Sequence, residues 1–232
     1  MAEPWFLNPV WEDSDLLVIN KPAGLAVQGG TKTNIHVDGL LQAYGAAQGQ
    51  RYYLVHRLDR DTSGILVVAK NHATAQHLAT QFRLHTVKKL YLAIVLGVWK
   101  QQQGAINAPL IKIGVHEKMV VDQEKGKSAQ TDFRLVKRLT QALNLVALTP
   151  QTGRTHQLRV HMSYIGHPII GDGKYGGAPA LKQTTQLHLH AYRLTIMDRQ
   201  DTALTFTAPW PPHFVQTIAA TGADPDKILG NL

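Results

Sequence analysis

SAQTDFRLVKRL (Ser128–Leu139) and LNLVAL (Leu143–Leu148) decide the fold class of this chain. Both alternate apolar and polar residues well enough to be paired strands. Working outward toward the N-terminus, Asp122–Lys127 is a polar turn, and Ala105 to Gly114 and Glu117 to Val121 read as shorter strands. LYLAIVL (Leu90–Leu96) reads as a buried strand. On the other side, Leu187 to Ile196 and Ala203 to Thr207 have the pattern of late strands. Consecutive strands without long helices between them pair antiparallel. The expected class is therefore α+β, a mainly antiparallel mixed sheet with flanking helices, and not a doubly wound one.

Helical periodicity is confined to a few segments. Ala75, Leu78, Ala79 and Phe82 recur at helical spacing between His72 and Leu84 and predict an amphipathic helix packed on the sheet. Arg83, His85, Lys88 and Lys89 lie at or beyond its C-terminal end, where positive charge complements the helix dipole. Asn34 to Tyr44 carries a partial helical pattern weakened by Gly39, and His213 to Ala220 predicts a terminal helix. Leu16 to Asn20 (LLVIN) is a short buried strand stopped by the turn Lys21-Pro22-Ala23-Gly24. No internal repeat, low-complexity run or linker interrupts the sequence, which predicts one domain over residues 1–232 with its core at about 10–209.

Charge and composition narrow the function classes. The 232 residues carry 24 Lys and Arg against 16 Asp and Glu, a formal net charge of +8, which suits an anionic partner such as nucleic acid. Cysteine is absent, so disulfides, thiolate catalysis and cysteine-ligated metal sites are excluded. The N-terminal MAEPWFLNPVWEDSD lacks a basic segment followed by an apolar one, and no run approaches the roughly 20 apolar residues of a membrane span. A cytoplasmic protein without membrane attachment is the expectation. Gly29 and Gly30 lack the spacing of a phosphate-binding loop, and His156, His161, His167, His188 and His190 lack suitably spaced carboxylate partners. Neither a nucleotide cofactor nor a metal is expected.

Two stretches concentrate chemistry. HRLDRDTSGILVVAK (His56–Lys70) joins four charges, Arg57, Asp59, Arg60 and Asp61, to the turn formers Thr62, Ser63 and Gly64 and then to a β-branched run buried on both faces. A loop carried by a rigid buried strand is a common setting for catalytic groups. A solvated ion-pair turn, worth about 1 kcal/mol or less per pair, is the plainer alternative. In GRTHQLRVH (Gly153–His161), Thr152 and Gly153 give a turn or cap. Leu158, Met162 and Ile165 then share one helix face, with Arg154 expected in the first helical turn. GHPIIGDGKYGG (Gly166–Gly177) is a glycine-rich loop with Asp172, Lys174 and Tyr175.

Lys21-Pro22-Ala23-Gly24, the His56–Gly64 stretch, Tyr91 in KKLYLAIV, and Gly153–His161 occur in one order. Together they resemble the RluA-type RNA pseudouridine synthases, most closely the branch that modifies large-subunit ribosomal RNA, over about Val10 to Pro209. The resemblance implies a pseudouridine synthase-like catalytic domain that isomerises uridine in structured RNA, ribosomal RNA first and transfer RNA second. It implies no cofactor and no obligate protein partner. Asp59 is then the carboxylate at the ribose, acting either as nucleophile at C1′ or as a base, with Arg154 as its cationic partner and Tyr91 stacked on the uracil. Arg57 enters the RNA stack as the target leaves it, Leu158 forms part of the apolar wall, and His56 and Arg60 join them as RNA-binding residues. The Lys21-Pro22 segment supports the loop. The small RNA-binding domain that many relatives carry ahead of the catalytic one is not matched in the roughly fifteen residues before the first strand.

Three alternatives compete. A transfer RNA synthase would use the same residues. A catalytically silent RNA-binding module would explain the charge, but not the Asp59, Tyr91 and Arg154 set. A glycoside or nucleoside hydrolase would use Asp59 and Asp61 as a carboxylate pair if the loop were extended. Positive charge disfavours it, as do Trp5, Trp11, Trp99 and Trp210, which are scattered instead of gathered near the loop.

Overall fold

The computed structural model describes residues 6–30, 34–114 and 118–229. Trp5 and Glu117, the first residue of an expected strand, lie outside them. The elements in chain order are β1 (Pro9–Glu12), β2 (Leu16–Lys21), α1 (Val37–Ala46), β3 (Tyr53–Leu54), β4 (Ser63–Ala69), α2 (His72–Arg83) and β5 (Lys88–Leu96). They continue with β6 (Gln103–Asn107), β7 (Leu110–Ile113), β8 (Lys118–Val121), β9 (Gln130–Arg138), β10 (Leu143–Pro150), α3 (Gln157–Tyr164) and α4 (Gly177–Gln183). The chain ends with β11 (Leu189–Met197), β12 (Ala203–Thr207), α5 (Pro212–Ala220) and α6 (Pro225–Leu229). The class is α+β. Contacts gather the chain into two compact units, Met1–Lys89 with Ala191–Pro209, and Leu90–His190 with Trp210–Leu232.

In the first unit every residue of β4 is buried, as its unbroken apolar run predicts. Strand β2 runs antiparallel along it from Leu16 opposite Ala69 to Lys21 opposite Gly64, and β3 pairs antiparallel with its end at Val68 and Ala69. Leu16, Val18, Ile65 and Val67 share one face and pack with Leu78 of α2 and with Leu194, Ile196 and Phe206 of the antiparallel pair β11–β12. The opposite face, Leu17, Ile19, Leu66 and Val68, is equally enclosed. Helix α2 starts where the Asn71 side chain accepts the Thr74 N–H at 2.9 Å. Near its other end the Gln81 amide donates to the Met197 carbonyl at 2.7 Å and accepts its N–H at 2.9 Å, tying helix to strand.

In the second unit β5, β10, β9 and β6 form antiparallel neighbours in that order. Ala93, Val95, Phe133, Leu135, Val146 and Leu148 cover one face, and α3 lays Leu158 and Met162 into them. The segment expected as one strand from Ala105 is two, because Pro109 has no N–H to offer a ladder. Before it β6 stays with β9, and after it β7 pairs with β8. Three short elements were not expected: β1, which is mostly exposed, and α4 and α6.

Gly64 sits at φ +110°, and a Cβ there would lie 2.2 Å from the Ala191 carbonyl oxygen. Gly64→Ala should therefore destabilise the protein by at least about 2 kcal/mol, combining a disfavoured φ with a backbone clash. Urea unfolding measures this, and a loss below about 0.5 kcal/mol, the usual surface value, would contradict that packing.

Candidate active site

The loop between β3 and β4 carries the first set of expected residues. Leu58 is buried and anchors it, Arg57 and Arg60 are exposed, and Asp59 is half-buried. The Thr62 N–H donates to the Asp59 carbonyl at 3.2 Å, closing a turn over Arg60 and Asp61. This corrects the extended geometry on which a carboxylate pair depends. Asp61 instead meets Arg60 Nε at 3.1 Å, an exposed pair worth about 1 kcal/mol or less. His56 faces inward. Its Nε2 accepts the Val67 N–H at 2.8 Å and its ring stacks on Phe82, with centroids 4.5 Å apart. Burial, together with the nearby Lys89 charge, lowers its pKa to about 3, so the ring is neutral. In this position it supports the loop, with its acceptor nitrogen already occupied.

Beneath the turn lies Lys21, whose side chain has no exposed surface. Its Nζ donates to the carbonyls of Pro22 at 2.8 Å, Leu25 at 2.8 Å and Arg60 at 3.0 Å, one acceptor for each ammonium proton. The Arg60 carbonyl also accepts the Gly24 N–H at 2.9 Å. Two stretches far apart in sequence are thus fastened at the residue following Asp59. Burial pulls the Lys21 pKa down to about 7, against the opposing charges of Asp61 and Asp59.

Tyr91, Arg154 and Leu158 belong to the second unit. Tyr91 is half-buried, stands opposite Leu148 on β5 and packs against the cluster that contains Leu158. Arg154 is not in the first turn of α3. That helix begins at Gln157, and His156, at φ 52° and ψ 17°, breaks any helical path leading to it. Arg154 occupies the preceding turn, its Nε donating to the Ser128 carbonyl at 3.0 Å.

The side chain that holds this turn is Gln157, which is buried. Its Oε1 accepts from Thr152 Oγ1 at 2.7 Å and from the Arg154 N–H at 3.0 Å, and its Nε2 donates to the Gln130 carbonyl at 2.8 Å and to Thr131 Oγ1 at 3.0 Å. All four amide valences are filled. His161 is fully buried between Thr131 Oγ1 and the Ala108 carbonyl, both at 2.9 Å. Among the described residues no cluster of three or more His, Asp or Glu could hold a metal ion.

Known proteins resemble this chain over most of its length. A family model described as RNA pseudouridylate synthase matches residues 15–164. The chain belongs to the RNA pseudouridylate synthase family. It is 42% identical over 217 residues to the ribosomal large subunit pseudouridine synthase C of Vibrio cholerae, covering 90% of this chain and 67% of that one. It is 40% identical over 230 residues to the protein of that name from Vibrio vulnificus, covering 96% and 68%. Against curated relatives of this kind the chain spans as little as 56% of their length. Its fold matches the solved human RNA Pseudouridylate Synthase Domain Containing 4 with a TM-score of 0.76 and 28% identity, over 92% of both chains. Among the described residues no helix is long and apolar enough to cross a membrane.

The residues that sequence reasoning left without a chemical role are Lys21 and Gln157. Their signal was a long polar side chain at the end of an apolar strand and another beside the apolar stripe of a helix.

Lys21 should make stability depend on pH. Its folded pKa, about 7, lies below the ordinary 10.5. The unfolded chain therefore binds a proton that the folded one lacks, and unfolding free energy rises with pH through that window. The cost is complete below about pH 7 and relieved toward pH 10.5. Lys21→Met removes this dependence, so wild-type stability should gain about 2 kcal/mol relative to the variant between pH 7.5 and 9.5. Parallel urea titrations of both proteins decide it, and an unchanged difference would contradict the shifted pKa.

Proposed function

We propose that the chain isomerises uridine to pseudouridine in large-subunit ribosomal RNA, in the cytoplasm, with Asp59 as the carboxylate that acts at the ribose. The observation that carries this reading is the fixed turn at Asp59. The Arg60 carbonyl is held by both Lys21 Nζ and the Gly24 N–H, so a half-buried carboxylate is presented on backbone with little freedom. The names of the bacterial relatives favour ribosomal over transfer RNA, which remains the second reading.

The reaction breaks the bond from uracil N1 to ribose C1′, turns the base and joins C5 to C1′. A proton leaves C5 and N1 gains one, so substrate and product have the same atoms and no redox partner enters the balance. Asp59 serves as nucleophile at C1′ or as the base that removes a ribose proton. Arg154 is its cationic partner, since a carboxylate taken out of water needs an opposite charge to stay ionised. Tyr91 stacks on the uracil, a contact worth about 1–3 kcal/mol per base, with Leu158 in the apolar wall. Exposed Arg57 refills the gap left by the flipped nucleotide, which offsets part of an unstacking cost of a few kcal/mol. Arg60 is exposed and suits a phosphate contact, whereas the inward-facing ring of His56 supports the loop.

The test is tritium release from RNA labelled at uracil C5, run separately on ribosomal and transfer RNA. Wild type should release tritium from ribosomal RNA. Asp59→Asn should lose on the order of 10³-fold or more, the scale for removing a reacting group, and Arg154→Ala about 10²-fold. Retained RNA binding with no release by wild type would favour a silent binding module.

A further inference from the structure

The turn that carries Arg154 depends on a residue in an awkward conformation. His156 has φ 52°, in the left-handed region, and its side chain caps nothing at the start of α3. Arg154 and Gln157 close a β-turn around it, the Gln157 N–H donating to the Arg154 carbonyl at 3.1 Å. A positive φ at the third position of a turn is the place for glycine. Some contact of this histidine must therefore hold it there.

That contact is Tyr175. Its Oη is hydrogen-bonded to His156 Nδ1 at 2.7 Å and accepts the Met119 N–H at 3.2 Å. The rings meet edge to face with centroids 5.5 Å apart. Tyr175 is itself fixed. Ser163 Oγ donates to its carbonyl at 2.8 Å, and its N–H donates to Asp172 Oδ1 at 3.1 Å. Asp172 is buried and pairs with Arg159 through two bonds of 2.7 and 2.8 Å. The Arg159 guanidinium lies 5.1 Å from the centre of the Tyr175 ring. The hydroxyl is thus anchored from β8, from α3 and from the glycine-rich loop.

We propose that Tyr175 is a positioning residue for the isomerisation, its hydroxyl clamping His156 in the left-handed conformation and thereby setting where the turn presents Arg154. The inference rests on the role given to Arg154 above. His156 works through its backbone. The imidazole is a handle for that clamp, without contact to the reacting base.

Glycine separates this role from a chemical one, because it adopts positive φ without a clamp. In the tritium-release assay Tyr175→Phe, which keeps the ring and loses only Oη, should lower kcat about 10- to 100-fold, with KM for RNA within about twofold. His156→Ala should lose as much. His156→Gly should recover most of the loss, and adding Tyr175→Phe to His156→Gly should cost nothing further. Equal losses in His156→Ala and His156→Gly, or a full Tyr175→Phe effect in the glycine background, would overturn the clamp. Amide exchange of the Gln157 N–H, followed by NMR, reads the turn without activity. It should speed up in Tyr175→Phe and His156→Ala and stay protected in His156→Gly. That pattern with an inactive wild type would leave the clamp standing while the proposed reaction fails. Unchanged exchange in all three variants would reject the clamp whatever the activity.

Discussion

Three carbonyl oxygens converge on one buried ammonium, and the first unit is arranged around that point. Pro22, Leu25 and Arg60 all lie outside regular ladders, where buried backbone acceptors must find other donors or cost free energy. Lys21 supplies one proton to each. Removing an ammonium from water costs several kcal/mol. Three charge-assisted bonds at about 1.5–3 kcal/mol each, with the nearby charges of Asp61 and Asp59, offset part of it. The fallen pKa is the part that is not offset. A hydrophobic residue at position 21 would remove the desolvation cost and leave the three acceptors bare, so the strand ends in a side chain rich in donors where the two loops meet.

The second unit solves the same problem without a charge. Gln157 fills all four of its valences from β9, from Thr152 and from the Arg154 N–H, and carries no ionic desolvation cost. A glutamate there would face the Gln130 carbonyl with an acceptor where a donor is needed. Charge is used in this unit two residues further on, where Arg159 and Asp172 pair through two parallel bonds and hold the glycine-rich loop against α3. Asp59 in one unit and Arg154 in the other sit on irregular backbone, and beside each a buried polar side chain takes the place of a ladder.

Much of this was legible in the sequence, for identifiable reasons. The ILVVA run of β4, the alternation in β9, the apolar run in β10, the α2 stripe and the strand at Ala203–Thr207 follow from pattern, because both faces of β4 and of most of β10 are buried, and one face of each of the others. Strand β1 was not legible because most of its side chains are exposed, so it carries no alternation. The start of α3 was misjudged because Thr152 and Gly153 look like a cap. Thr152 Oγ1 in fact donates to Gln157 and accepts the Gln130 N–H, serving the sheet and not the helix. The support that the Lys21-Pro22 segment was expected to give the loop was legible only from its motif, because a lysine at the end of an apolar strand reads as the end of burial, whereas this side chain is fully buried. The order of motifs indicated the family, and Lys21, His156 and Gln157 lie within those motifs, but the contacts that make them clamps join residues distant in sequence.

Rigidity of this kind bears on how an RNA could be accepted. The Arg60 carbonyl has two donors, Leu58 is packed in the core, and Thr62 closes the turn on Asp59. Moving that turn by an ångström would break several bonds at once. A mobile loop could follow its substrate, and a clamped one cannot. If uridine reacts at Asp59, the rearrangement falls on the RNA, whose nucleotide must leave its stack to meet a carboxylate already in place. The exposed arginines at 57 and 60, on either side of that carboxylate, are the parts of the loop still able to follow the RNA. Such a division suits a reaction that conserves every atom, since positioning is the main thing the protein has to supply.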